Sequence, residues 1–248
     1  MIIPKKYLVI IFLFPILTAC TISFANPIYV NDIITQTVQG YRSSPPYGWT
    51  YKYDIGFSNL ELNVQLRILL TGYNPGSALE QIWENGIESA WDRKFDIVDG
   101  SFKYHVNFDT TFLHSLTDTI HHTVTVISGQ GSGNMLNWYT TSAWGAEYNG
   151  AYVAHEVGHM FSLYDEYSGG AVNPSSPLID YTSIMGSLAG ETYQRHYQPF
   201  LSWLQPAAPG RSLYLEDYDP LWINPPIPEP ATVLLLTLGG LVLRKHRR

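Results

Sequence analysis

Between Glu61 and Ile68 apolar and polar residues alternate: Leu62, Val64, Leu66 and Ile68 fall on one side, and Glu61, Asn63, Gln65 and Arg67 on the other. A period of two with one apolar face is the pattern of a half-buried strand. Residues 72–76 hold Asn74-Pro75 between two glycines, which predicts a turn. The period then changes. Leu79, Ile82, Trp83, Gly86, Ile87, Ala90 and Trp91 recur at helical spacing, so residues 78–94 read as an amphipathic helix with an aromatic core stripe. Ser77, with Glu80 three residues on, offers a capping box at its start. Phe102, Tyr104, Val106 and Phe108 alternate with Lys103, His105 and Asn107 as a second strand, and residues 119–128 read as a third. The glycine-rich stretch 129–133 lacks the Lys-Ser/Thr and the strand-to-helix setting of a phosphate loop, and reads as a plain turn. Residues 134–141 suit an edge strand. Residues 151–163 suit a second helix, with Asn149 or Gly150 at its cap. Residues 27–53 are rich in Tyr, Ser and Pro and show no clear period, with a loop at 43–46. There are no internal repeats. These elements predict an α/β (α+β) domain, a mixed sheet packed with helices.

The second helix carries His155-Glu156-Val157-Gly158-His159, with Asp165 six residues beyond. Histidines four apart are separated by about 400° of helical rotation, so they share one face one turn apart. Both imidazoles can then reach one Zn²⁺ at about 2.0–2.1 Å. Glu156, beside the first histidine, projects toward the open side of such a metal, where it can take a proton from water and pass it to a leaving amine.

The stretch from His155 to Tyr167 resembles the metzincin zinc signature, in which a third ligand, usually His and sometimes Asp, follows the second histidine by six residues. The resemblance implies a zincin fold with an active-site helix, His155, His159 and Asp165 as metal ligands, and Glu156 as general base. Asp-Glu-Tyr after the motif also recurs in bacterial relatives of this kind. Ser183-Ile184-Met185-Gly186 resembles the Met-turn that lies beneath the zinc in that group. The strand, helix, strands and motif helix follow in the order of the N-terminal half of a zincin. One departure matters: metzincins usually have Gly where this chain has Ser162. That Gly ends the helix abruptly, often with φ above zero. Ser162 can therefore add helix and aim Asp165 elsewhere, which leaves Glu166 and His196 as rival third ligands. Tyr193, Arg195, His196 and Tyr197 either supply an oxyanion donor or are surface residues on a helix running to Trp203. His105, His114, His121 and His122 read as structural, the first two without recognisable partners; His121 and His122 would point to opposite faces of a strand. Asp180, Glu216, Asp217 and Asp219 are candidates for structural Ca²⁺, although no calcium-loop spacing is present and a solvated acidic surface is the simpler reading.

Both termini read as processing signals. Lys5 and Lys6, an apolar run at 7–17 and Ser23-Phe24-Ala25 make a signal peptide at 1–25, cut after Ala25. Leu17-Thr18-Ala19-Cys20 resembles a lipobox and offers a competing cut with a lipidated Cys20. At the other end, Pro228-Glu229-Pro230 precedes an apolar run and a basic end at 244–248. This tail, 227–248, resembles the PEP-CTERM sorting signal of Gram-negative bacteria. The resemblance implies handling by signal peptidase and an exosortase, transient membrane anchoring, and a final address at the cell surface or in the extracellular matrix. A domain at 26–226 remains, enough for one core. Six of the chain's 14 Lys and Arg lie in the terminal segments, and the whole chain carries a formal charge of -7. The domain between them is therefore acidic, which argues against nucleic acid as a partner. Cys20 is the only cysteine, so the exported domain has no disulfide. Two functions follow as expectations. One is an exported zinc endopeptidase acting on protein or peptide. The other is a surface or matrix adhesion protein that keeps a zincin fold with weak or no hydrolysis. Retention of Glu156 favours the first.

Overall fold

The computed structural model describes residue 28, residues 34–117 and residues 119–225. The expected leader and sorting tail lie outside the described residues. No helix among the described residues is long and apolar enough to cross a membrane. In chain order the elements are β1 (Ile34–Ser44), β2 (Tyr47–Ser58), β3 (Glu61–Gly72), α1 (Ser77–Trp91), β4 (Phe95–Asp99), β5 (Phe102–Leu113), β6 (His122–Gly131), β7 (Asn137–Ser142), α2 (Asn149–Met160), α3 (Gln198–Leu204) and β8 (Tyr214–Asp217). The class is mixed α+β, with eight strands among the described residues in one sheet.

Strand β3 is the centre of that sheet. Leu62, Val64, Leu66 and Ile68 are all fully buried, as their alternation requires. β5 pairs with β3 in parallel along one edge. The other edge is shared: β2 takes Glu61 to Gln65 in antiparallel fashion, and β6 takes Ile68 to Gly72 in parallel. β7 then pairs with β6 in parallel. Because β2 leaves β3 at Asp54, the remainder of the β1–β2 hairpin, paired from Ser44–Tyr47 onward, extends past the sheet as a two-stranded arm.

The two long helices meet at glycines. A Cβ on Gly86 of α1 would lie 2.3 Å from the Gly150 Cα of α2, so only a bare backbone fits there. Trp83, Ile87 and Trp91 carry the buried stripe of α1. Behind α2, Phe108 of β5, Phe161 and Phe200 form an edge-to-face aromatic cluster with centroids 5.0 and 5.3 Å from Phe108. Phe161 is the residue that ends α2, so this cluster ties the end of the motif helix to the sheet and to α3. Burial of one such ring contributes about 1.5–3 kcal/mol.

Several sequence expectations need correction. Residues 34–58 form the long hairpin, not an aperiodic segment, and only Pro45-Pro46 makes its turn. β4 had no counterpart in the hydrophobic pattern. α1 is capped at Gly76 with no side-chain cap bond, so Ser77 and Glu80 form no capping box; Glu80 faces His114 at 3.2 Å instead. Ile82 is 48% exposed and is no part of the core stripe. β6 runs on through Gly129 to Gly131, with a bulge between Ile127 and Gln130, so that segment is strand as well as turn. α2 begins at Asn149 and ends at Met160.

His121 immediately precedes β6 and His122 opens it, and both tie it to its neighbours. The Arg67 N–H donates to His121 Nδ1 at 3.1 Å, and His122 Nε2 lies against the Lys52 backbone of β2. Burial pushes both imidazoles down to about 4. Both are therefore neutral in the fold but take up protons in the unfolded chain below about pH 6.5. Their contribution is complete above pH 6.5 and is lost as pH falls toward 4. Urea midpoints measured between pH 7 and 4 should fall for the wild type. They should fall less steeply for His122→Gln, which leaves one such group fewer. Parallel curves would show that His122 does not carry this dependence.

Candidate metal centre

The site is built where α2 stops. Three bonds close the helix end: Ser162 N–H donates to His159 O at 2.9 Å, Leu163 N–H to Gly158 O at 3.0 Å, and Phe161 N–H to Val157 O at 3.1 Å. This is a Schellman pattern, whose turning residue sits in the left-handed region and is usually Gly. Here that residue is Ser162, at φ 81°. The serine does not prolong the helix; it accepts the strained conformation. Its support comes from the β1–β2 arm. Arg42 Nε donates to Ser162 O at 3.0 Å, and Arg42 Nη2 donates to Ser162 Oγ at 3.3 Å. The guanidinium is itself held between the rings of Tyr51 and Tyr164.

The turn reverses the chain so that Asp165 comes back over the face that bears the histidines. Asp165 Oδ1 lies 3.2 Å from His155 Nε2 and 3.3 Å from His159 Nε2. The three side chains are buried and could hold one metal ion, with their ligand atoms all within 4.8 Å of one another. Ligands about 2.1 Å from a tetrahedral ion stand about 3.4 Å apart, so the two short separations are those of tetrahedral edges. Asp165 Oδ1 is fully buried and has no aligned hydrogen bond. An orphaned carboxylate oxygen facing two imidazole nitrogens is costly unless a cation joins them.

Each group is fixed from behind. His155 Nδ1 is 2.8 Å from Ile184 O, and His159 Nδ1 is 2.9 Å from Leu163 O, which leaves both Nε2 atoms for the shared point. Ala171 N–H donates to Asp165 Oδ2 at 2.6 Å, which turns Oδ1 inward. Trp49 of the arm donates its indole N–H to His159 O at 3.0 Å and packs its ring edgewise on the imidazole. Met185 is fully buried beneath α2; a Cβ on Gly158 would come within 2.4 Å of its sulfur. The electrostatics follow. Burial opposes the charged form of His155, yet the neighbouring Asp165 and Glu156 carboxylates hold its pKa up at about 9. Burial likewise opposes the Asp165 charge, and the two histidines still hold it well below the usual carboxylate range. Burial pushes the Glu156 carboxyl up. Glu156 lines a cleft that opens over the cluster on both sides.

The rival ligands are engaged elsewhere. Glu166 accepts from Arg195 Nε and Nη2 at 2.9 and 2.7 Å and lies 3.4 Å from His196 Nε2. Arg195 also donates to Asp180 at 2.6 Å. Tyr197 is fully buried and bonded to Trp91 O, and Tyr193 donates to Thr182 at 2.9 Å. None of Tyr193, Arg195, His196 and Tyr197 lines the cleft over the cluster. The four acidic calcium candidates do not converge: Asp180 belongs to Arg195, and Glu216 pairs with Lys103 at 2.9 Å. His105 and His114 do have partners, Asp96 at 2.7 Å and Glu80 at 3.2 Å. Sequence reasoning gave no role to Tyr167, which lines both sides of the cleft with its ring 6.1 Å from that of His155. Burial, and then the charges of Asp165 and Glu156, keep its phenol protonated. Its signal was spacing: in extended chain, residues two apart share a side, so Tyr167 follows Asp165 while Glu166 faces away. Arg42 and Trp49 had no local signal.

Comparison with protein-family models, with curated proteins and with solved structures returns no match to this chain.

If Arg42 holds the left-handed turn, Arg42→Ala should weaken metal affinity by about tenfold, the scale of lost outer-shell support. Ser162→Gly, which removes the Cβ at φ 81°, should restore most of that loss in the double variant. Titration with a competing chelator reads both. A double variant no better than Arg42→Ala would show that Arg42 acts by some route other than the turn.

Proposed function

We propose that this protein is an exported zinc-dependent endopeptidase with a zincin, metzincin-like fold. The observation that carries the reading is the meeting of two helix-borne imidazole nitrogens with a buried, unsatisfied carboxylate oxygen under an open cleft, with Glu156 beside them. Two imidazole nitrogens and one carboxylate suit Zn²⁺, and three protein ligands leave a position for water or substrate. A closed structural site would need a fourth ligand and no cleft.

His155, His159 and Asp165 hold the ion. When bound, Zn²⁺ supplies a Lewis acid that polarises a carbonyl and acidifies water. Glu156 takes a proton from the attacking water and delivers it to the leaving nitrogen. Its burial raises the carboxyl pKa, which brings it closer to the range useful for a group that both accepts and returns a proton. The cleft is open on both sides of the ligand cluster, which suits attack within a chain rather than at its end. The sorting tail supports delivery to the cell surface or matrix through an exosortase, and the acidic charge supports protein rather than nucleic acid as substrate.

The purified protein should contain one zinc, removed by His155→Ala with His159→Ala. It should hydrolyse an unstructured protein, and a chelator should stop it. Glu156→Gln keeps the side chain's shape and should keep the zinc, while hydrolysis falls by about 10²–10⁴-fold, the usual worth of general base catalysis. An unchanged rate in Glu156→Gln would assign the activity to a contaminant or another site. Zinc binding without hydrolysis in the wild type would favour the adhesion protein.

The tail is tested separately. Mass spectrometry of the protein recovered from the surface of a host with the matching exosortase should find residues 231–248 missing. An intact tail would make it a permanent anchor.

A further inference from the structure

The cleft over the metal ligands has two lobes. One, about 700 Å³, is walled by Trp144, Tyr148, Tyr152, Tyr181 and Leu188. The other, about 720 Å³, is walled by Tyr41, Tyr47, Trp49, Met135 and Leu136. His155, Glu156 and Tyr167 line both, so the lobes meet at the ligand cluster. No Lys or Arg lines either lobe, and the only carboxylates are Glu156 and Asp165. The aromatic walls are open to water: Tyr41 is 64%, Trp144 58% and Tyr181 59% exposed. Four of the six large exposed aromatics among the described residues, Tyr41, Tyr47, Trp144 and Tyr181, stand on this one cleft. Scattered exposed apolar residues need no explanation, but a concentration on both flanks of a polar centre does.

We propose that the cleft takes an extended polypeptide with bulky uncharged side chains, aromatic or aliphatic, on both sides of the bond that lies at the metal ligands. The identity of the occupant as polypeptide rests on the metallopeptidase reading. The preference for uncharged side chains rests on the walls. An Asp or Glu side chain in either lobe would lose hydration, find no cation among the lining side chains and face Glu156 and Asp165. A Lys or Arg side chain could stack on these rings, but it would lose hydration and find no carboxylate in either lobe beyond Glu156 and Asp165 at the centre, so it gains less than a side chain that needs no counter-ion. An apolar side chain covers exposed ring surface on both partners and loses nothing. The two walls come from separate parts of the chain. The arm and residues 135–136 make one; residues 144–152, 181 and 188 make the other, so each side of the bond is read independently.

Binding to the zinc-loaded exported protein carrying Glu156→Gln tests this without turnover. The probes are fluorescent peptides of one design that differ only in the central pair: Phe-Leu, Ser-Ser, Glu-Glu and Lys-Lys. Phe-Leu should bind at least about tenfold more tightly than Glu-Glu or Lys-Lys, the scale set by burying an aromatic side chain. In that background Trp144→Ala should abolish the preference at one position of the pair and Tyr47→Ala at the other, with zinc content unchanged. Affinities equal within about twofold across the four peptides would overturn the proposal, as would a preference that neither variant alters. Selective binding with no cleavage by wild type sinks the peptidase reading and leaves the cleft assignment standing. Cleavage by wild type with no preference among the peptides does the reverse.

Discussion

Everything at the candidate centre depends on a single left-handed residue. α2 presents two imidazoles on one face, but a helix cannot supply a third ligand on that face in the right place. The chain has to stop, reverse and return within a few residues. Ser162, at φ 81°, is that reversal. It brings Leu163 O against His159 Nδ1 and returns Asp165 over the histidines. A residue with a Cβ resists this conformation by about 1–2 kcal/mol, so the strain must be offset. Arg42 and Trp49 provide the offset from a hairpin more than a hundred residues earlier in the chain, each bonding to the carbonyls at the helix end. The arm that looks peripheral in the sheet is therefore the clamp on the site.

The second support is the segment that follows. Glu166 N–H donates to Met185 O, and Glu166 O accepts from Asp180 N–H, both at 2.8 Å. Arg195 joins the Glu166 and Asp180 carboxylates. With Ile184 O fixing His155, this loop holds the ligand segment from the side opposite the arm. Gly170 makes room: a Cβ there would lie 2.7 Å from Asp165 Oδ2. In a domain without a disulfide, backbone bonds and one part-buried ion-pair network do this bracing.

What was legible in the sequence was what depends on local period. β3, β5 and α1 are half-buried, so Leu62 to Ile68, Phe102 to Phe108 and Trp83 to Trp91 announce their faces. The histidine pair was legible for the same reason, since it needs only one helix. β1 was not legible because most of its described side chains are exposed or half-buried, so burial imposes no alternation on its Thr and Gln residues. Strand β4 is short and buried throughout, a run without a period. The end of α2 was misjudged because the expectation rested on the cost of a Cβ at that position. The cost is real, but a distant arginine bonds the turn, and such a tertiary contact leaves no trace in the neighbouring residues. The third candidate ligand was open for the same reason: choosing among Asp165, Glu166 and His196 required knowing where the chain turns.

Two features of this fold run against what stability alone would select. One is a buried cluster of an unsatisfied carboxylate oxygen and two imidazoles. The other is a set of large aromatic rings left in water on both sides of it. A stability-driven surface would cover the rings, and a stability-driven core would replace the cluster with apolar residues. On the proposed reading each is offset by something that binds: a cation for the first, a bulky uncharged chain for the second. They occupy one place in the molecule, and the same hairpin builds part of both. Trp49 bonds the helix end behind His159 while its neighbour Tyr47 stands in the cleft wall. A shift of the arm would therefore move a support of the candidate ligands and a cleft wall together, which couples the shape of the cleft to the geometry of His155, His159 and Asp165.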